Sequence, residues 1–234
     1  MHAMTTSQTV LITGANRGIG LEYARQYAQD GFTVYATVRD TAKAAELQAL
    51  ANKHSNIHVL ALDIADIAAI RALANQLADQ PVDILISNAG IYPESRFGNT
   101  DPQAWLHAFQ VNTLTTYYLA EAFLPHFQRS GQSKLIAMTS KMGSIADNGS
   151  GGEYIYRSTK TALNTVVKSL SIDLQKFNIA VVALHPGWVR TDMGGPNGLI
   201  DTETSVAGLR KVIAGLDQAQ SGEFIAYDGK QVPW

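Results

Sequence analysis

The sequence contains no cysteine. That excludes disulfides, thiol nucleophiles and Cys-ligated metals, and it suits a reducing compartment. It also lacks any apolar run approaching the ~18 residues that a membrane-crossing helix needs, and Met1–Gln8 has no signal-peptide apolar core. A cytoplasmic protein with no membrane partner is expected. Charge is sparse and balanced: 18 Lys+Arg against 20 Asp+Glu, a net −2, with only 16% charged residues. No basic run or aromatic stripe appears, so no nucleic-acid partner is expected. The 6 histidines are scattered without ligand spacing, and no catalytic metal is expected.

What is present is a core-forming chain of 234 residues, 46% of them hydrophobic. Short β-branched runs alternate with helical patterns. Strands are expected at 9–13, 33–38, 57–62, 83–87, 135–138, 179–184 and 223–226. Helices are expected at 18–30, 42–52, 67–77, about 102–126, 154–177 and 205–214. Strict β-α alternation with nearly continuous apolar strands implies α/β class. The expectation is one doubly wound domain over 1–234, with a parallel sheet of about seven strands and helices on both faces. Residues 1–7 are expected to be a flexible N-terminus.

The first strand runs into Thr13-Gly14-Ala15-Asn16-Arg17-Gly18-Ile19-Gly20, and a helix follows. Glycines allow a sharp turn and close approach of backbone N–H groups to a phosphate, and a helix N-terminus adds a favourable field. Further along, Tyr156 and Lys160 are spaced i, i+4 and share a helix face. An ammonium beside a phenol favours the phenolate, so the Tyr156 pKa is expected to fall toward the working pH of a proton donor and acceptor.

In order along the chain, these motifs resemble the short-chain dehydrogenases/reductases, a family of Rossmann-type fold. The resemblance assigns Gly14, Asn16, Arg17, Gly18, Ile19 and Gly20 to the cofactor loop and Asp63-Ile64 to the adenine. It assigns Asn88-Ala89-Gly90 to the cofactor wall, although Ser87 stands where the family usually has Asn. Pro186, Gly187, Val189 and Thr191 match the segment contacting the nicotinamide. The catalytic set implied is Ser140 orienting the carbonyl, Tyr156 moving the proton, Lys160 supporting it and Asn112 holding a water-linked relay; Tyr156 and Lys160 also contact cofactor. Ser144 is a rival for the serine, and Thr139 should face away. The Ser140–Tyr156 spacing is a few residues longer than usual, the excess falling in the polar turn 147–152.

Val38 falls where an NAD enzyme of this fold places an acid, and Arg39 follows it. A guanidinium there suits the 2′-phosphate of NADP, with Arg17 as a second cation. NADP(H) is therefore preferred, although Asp40 leaves the NAD role open. Tyr92, Pro93, Met142, Tyr154, Trp188 and Met193 are candidate substrate-lining residues. They suit an apolar ketone or aldehyde beneath a short Gly-rich cover (192–204). The carbonyl-reductase-like branch, with its C-factor and sniffer proteins, is the nearest resemblance. It implies carbonyl reduction by a homodimer or homotetramer. Two alternatives stand beside it: an NADP-binding regulator whose catalysis is incidental, and an NAD-linked alcohol dehydrogenase.

Overall fold

The computed structural model describes residues 7–234, so most of the expected flexible N-terminus, residues 1–6, lies outside the described residues. Seven strands form one parallel sheet in the order β3-β2-β1-β4-β5-β6-β7. They are β1 (Thr9–Thr13), β2 (Thr33–Val38), β3 (Ile57–Ala61), β4 (Ile84–Ser87), β5 (Ser133–Met138), β6 (Ile179–His185) and β7 (Phe224–Ala226). The helices are α1 (Gly18–Gln29), α2 (Ala45–Ala51), α3 (Ile67–Gln76), α4 (Pro102–Phe109), α5 (Thr115–Ser130), α6 (Tyr154–Asp173) and α7 (Thr202–Gly215).

Both faces of the sheet are covered. Val10 and Ile12 point into one apolar cluster with Tyr23, Tyr27 and Leu209. Leu11, between them, points into the other with Leu85, Phe123 and Leu163. Period-two alternation with both faces apolar is why β1 reads as an unbroken hydrophobic run. Strand order reverses between β1 and β4, and the crevice beyond their C-terminal ends is where open α/β sheets bind ligands.

Four helices differ from expectation: α6 stops at Asp173 before a 3-10 turn at Gln175–Phe177, α7 begins three residues early at Thr202, and the second helix and the long one have visible causes. The second begins three residues late, because Asp40 accepts from Ala42 N at 3.0 Å and folds Thr41–Lys43 into a short 3-10 turn first. The long helix near 102–126 runs on to Ser130 but contains a π turn, Gln110–Leu114, between α4 and α5. Gly131, left-handed at φ 83°, ends it. Among the described residues, no helix is long and apolar enough to cross a membrane.

Candidate active site

The glycine loop is fixed by close packing. Gly14 is left-handed (φ 68°), and a Cβ there would lie 2.9 Å from Ala89 Cα. A Cβ on Gly20 would lie 2.2 Å from Gly14 O. Thr13 Oγ1 accepts from the backbone N–H of Asn88 (3.0 Å) and Ala89 (3.1 Å). The Asn88 side chain donates back to Thr13 O (2.9 Å) and Gly14 O (3.3 Å). The ends of β1 and β4 are thus knotted together, and Asn88 serves the loop directly.

The α1 N-terminus has no side-chain cap, since Arg17 occupies that position. Uncapped N–H groups above a glycine turn form a donor set suited to a phosphate. Asn16 is exposed, while Gly18 and Ile19 are half-buried. A Cβ on Gly18 would face the Thr191 methyl at 3.3 Å, so the segment after β6 closes the crevice from the far side. There Gly187 is left-handed (φ 85°), Val189 is buried, and Ser205 Oγ donates to Pro186 O at 2.6 Å. Thr191 Oγ1 accepts from Gly194 N at 3.0 Å.

At the second-strand end, Arg39 is exposed and has no ion pair among the described residues. Asp40 caps its own turn and meets Lys43 at 3.2 Å. Arg17, exposed, pairs across the crevice with Asp192 at 2.6 Å. Ile64 is buried. Asp63 accepts from Ala65 N at 3.0 Å in a tight turn, while Asp66 is the residue that caps α3.

The chemistry-bearing groups converge at the C-terminal end of β5. Ser140 lies two residues beyond the strand and caps the turn that follows, its Oγ accepting from Met142 N at 3.2 Å. Tyr156 and Lys160 sit one turn apart on α6 and are both buried. The Lys160 Nζ lies 5.7 Å from the Tyr156 ring centroid and donates to Met138 O at 2.8 Å. The Ser140 hydroxyl faces the phenol. Asn112, in the π turn, accepts from Ile91 N (2.8 Å) and donates to Ile91 O (2.9 Å) and Thr159 Oγ1 (3.1 Å). It therefore clamps the strand-four loop to the helix carrying the tyrosine. A Cβ on Gly90 would lie 3.2 Å from Asn112 Oδ1 and 3.6 Å from Lys160 Nζ, which places the loop after β4 against the same cluster.

The rival serine is committed elsewhere. Ser144 is buried, donates to Trp234 O at 3.3 Å and accepts from Asp147 N at 3.1 Å. Thr139 faces away as expected, bonding Asn164 Oδ1 at 2.7 Å.

One expectation is corrected. Burial pushes the Tyr156 phenol up to about 12; the Ser140 hydroxyl pulls it back and Tyr92 adds to the rise. Burial also lowers Lys160, to about 8. Spacing predicts that the cation and the phenol are neighbours. It says nothing of the desolvation that here dominates both groups. His185 is likewise driven down to about 4 by burial and accepts from Lys141 N at 3.3 Å, a packing role.

Around this centre, Tyr92 lies ring to ring with Tyr156, centroids 4.4 Å apart. Met142 and Pro93 are half-buried, and Tyr154, Trp188 and Met193 are exposed. Trp188 Nε1 donates to Gly194 O at 2.7 Å, holding the Gly-rich cover. Sequence reasoning missed Arg157. It donates to Gly151 O (3.2 Å), Met142 O (3.3 Å) and Ser150 Oγ (2.8 Å), and so pins the long turn between Ser140 and Tyr156.

Residues 8–199 match the family model described as short chain dehydrogenase. The chain belongs to this family. Among its relatives, this short-chain dehydrogenase is 41% identical over 166 residues to the C-signal of Myxococcus xanthus, covering 70% of this chain and all of that protein. It also resembles the carbonyl reductase Sniffer of D. melanogaster, with 38% identity, 97% and 100% of the two chains covered and a TM-score of 0.91. An NADPH-bound carbonyl reductase from chicken fatty liver shares 35% identity over 97% and 99% of the chains, with a TM-score of 0.92. This short-chain dehydrogenase is an oxidoreductase by family, built on the Rossmann-like sheet that these relatives share.

Proposed function

We propose that this short-chain dehydrogenase is an NADP(H)-dependent carbonyl reductase that converts a ketone or aldehyde to an alcohol. The observation carrying this reading is the convergence of Ser140, Tyr156 and Lys160 beside the glycine-loop crevice. When bound, the nicotinamide cofactor supplies the hydride. Gly14, Asn16, Gly18, Ile19 and Gly20 would hold its phosphates. Asp63 and Ile64 would flank the adenine, Asn88–Gly90 the ribose side, and Pro186, Gly187, Val189 and Thr191 the nicotinamide. Arg39 would face the 2′-phosphate, and the commitment of Asp40 to its own turn favours NADP over NAD.

The Ser140 hydroxyl orients the substrate carbonyl oxygen, and Tyr156 Oη gives that oxygen its proton. Burial keeps the Tyr156 phenol protonated at neutral pH, the form that reduction requires. The Lys160 ammonium and the Ser140 hydroxyl then stabilise the phenolate left behind. Asn112 holds the helix in register and stands at the route by which Lys160 would exchange its proton. Tyr92, Met142, Tyr154, Trp188 and Met193 would line the substrate, giving it an aromatic, partly open pocket. Homodimer or homotetramer assembly belongs to this reading.

The C-signal relative favours a second reading, an NADP-binding signalling protein. A panel of ketones and aldehydes with NADPH separates the two, with Tyr156→Phe as control. Turnover abolished by the substitution supports the reductase. No turnover on any carbonyl, with tight NADPH binding retained, rejects it in favour of the signalling protein.

A further inference from the structure

After β7 the chain turns back along that strand. Ala226 N donates to Lys230 O and Val232 N to Phe224 O, both at 2.8 Å, with Ile225 and Gln231 bridged antiparallel. Val232 is buried in the same apolar cluster as Phe224. The Trp234 indole lies against the buried Phe224 ring, centroids 5.5 Å apart and planes at 33°, a separation at which aromatic rings attract. Seated there, Trp234 brings its main-chain oxygen to the turn after Ser140. That oxygen accepts from Ala146 N at 3.0 Å and from Ser144 Oγ at 3.3 Å.

The turn has little else to hold it. Residues 145–151 are exposed. Asn148 N bonds Ile145 O and Gly149 N bonds Asp147 O, both within the turn, and Asp147 pairs with nearby Lys141 at 3.2 Å. Among the described residues, the hydrogen bonds that tie 144–149 to a distant part of the chain both end on Trp234. Ser144 passes the anchor on toward the active site. Its N–H bonds Lys141 O at 3.0 Å and closes the short turn that Ser140 caps.

We infer that Trp234 is a positioning residue for the reduction: its indole, seated on Phe224, holds its main-chain oxygen on Ser144 and Ala146, and this anchor fixes the turn from which the Ser140 hydroxyl reaches the substrate carbonyl. This rests on the reductase reading. Trp234 acts through the turn, not on the reacting atoms.

Trp234→Ala keeps the main chain and removes the seat. It should lower kcat roughly tenfold through misplacement of Ser140 and leave the Kd for NADPH unchanged. Trp234→Phe should recover most of that loss, because its ring can still lie on Phe224. Ser144→Ala removes one of the two bonds and should cost roughly threefold in kcat. The double variant with Trp234→Ala should lose less than the product of the two, since both act on one anchor. Exchange of the Ala146 amide hydrogen reads the anchor without turnover. It should quicken about tenfold or more in Trp234→Ala and stay near wild type in Trp234→Phe. An unmoved Ala146 rate in Trp234→Ala refutes the anchor. Faster exchange with wild-type kcat, a kcat loss that Trp234→Phe fails to rescue, or one that merely follows a fall in Tm each overturn the positioning role. A wild-type protein inert toward all carbonyls whose Ala146 exchange still quickens in Trp234→Ala defeats the reductase reading, and the positioning role with it, and leaves the anchor standing.

Discussion

A single methyl group at Gly143 tests how closely the serine turn must lie on the tyrosine helix. Gly143 is buried, its backbone is not left-handed, and its carbonyl accepts from Thr161 Oγ1 at 2.9 Å and Asn164 Nδ2 at 3.3 Å. A Cβ there would lie 2.8 Å from the Lys160 carbonyl carbon and 2.9 Å from Lys160 Cβ. Carbon atoms normally approach no closer than about 3.5 Å, so turn and helix must part by roughly half an ångström or more. Overpacking of this kind costs about 1–3 kcal/mol. For a chain of this length that lowers Tm by about 2–12 °C. The gap opens between Ser140 and the Tyr156–Lys160 helix, so kcat should fall roughly 10- to 100-fold, on the scale of a 1 Å misplacement. Gly149→Ala is the control: a Cβ there meets nothing within 4 Å, and its stability should move by less than about 0.5 kcal/mol. Thermal melts and carbonyl-reduction kinetics of both variants decide the matter. Wild-type Tm and kcat in Gly143→Ala would show that the close approach is not what sets the geometry.

Arg39→Ala should raise the Kd for NADPH about 5- to 30-fold, the loss of one exposed charge-assisted phosphate contact of ~1–2 kcal/mol. Affinity for NADH should stay put; titration with both cofactors checks this, and equal weakening of both would place Arg39 away from the 2′-phosphate. Because burial holds Lys160 at about 8, its ammonium is lost as pH rises through that value. The reduction kcat should then decline, and a pH–rate profile flat across that region refutes the role. The same shift predicts that stability of the cofactor-free protein rises with pH between about 8 and 10.5, since the unfolded chain binds the extra proton there. Denaturant melts across the window read the slope.

The strands, the glycine loop and the Tyr156–Lys160 pairing were legible because each rests on a local period or spacing. β1 alternates between two apolar clusters, and residues four apart on a helix must share a face. What escaped depends on contacts distant in sequence or on burial. The polar character of Asp40 and Asp63 is visible in the sequence, but not that each folds back on its own turn. Arg157 looks like a solvated helix residue until the turn at 142–151 is seen wrapped around it. The Tyr156 shift reverses sign because its neighbours exclude water, which no spacing reports. Glu153 follows two glycines, and nothing local marks it as a third left-handed residue.

The π turn at Gln110–Leu114 also governs which insertions and deletions the chain tolerates. A π turn is an α-helix carrying one residue too many, and each helical residue advances the chain by about 100°. Deleting one residue there would restore a regular helix, and because the widened turn itself absorbs the extra residue, α4 and α5 would keep their relative phase. Trp105, whose indole donates to Ser158 Oγ at 2.9 Å, would stay on α6, while the amide of residue 112 would leave Ile91. A length change that most surface helices absorb at their ends would here release the loop after β4 from the helix that carries Tyr156.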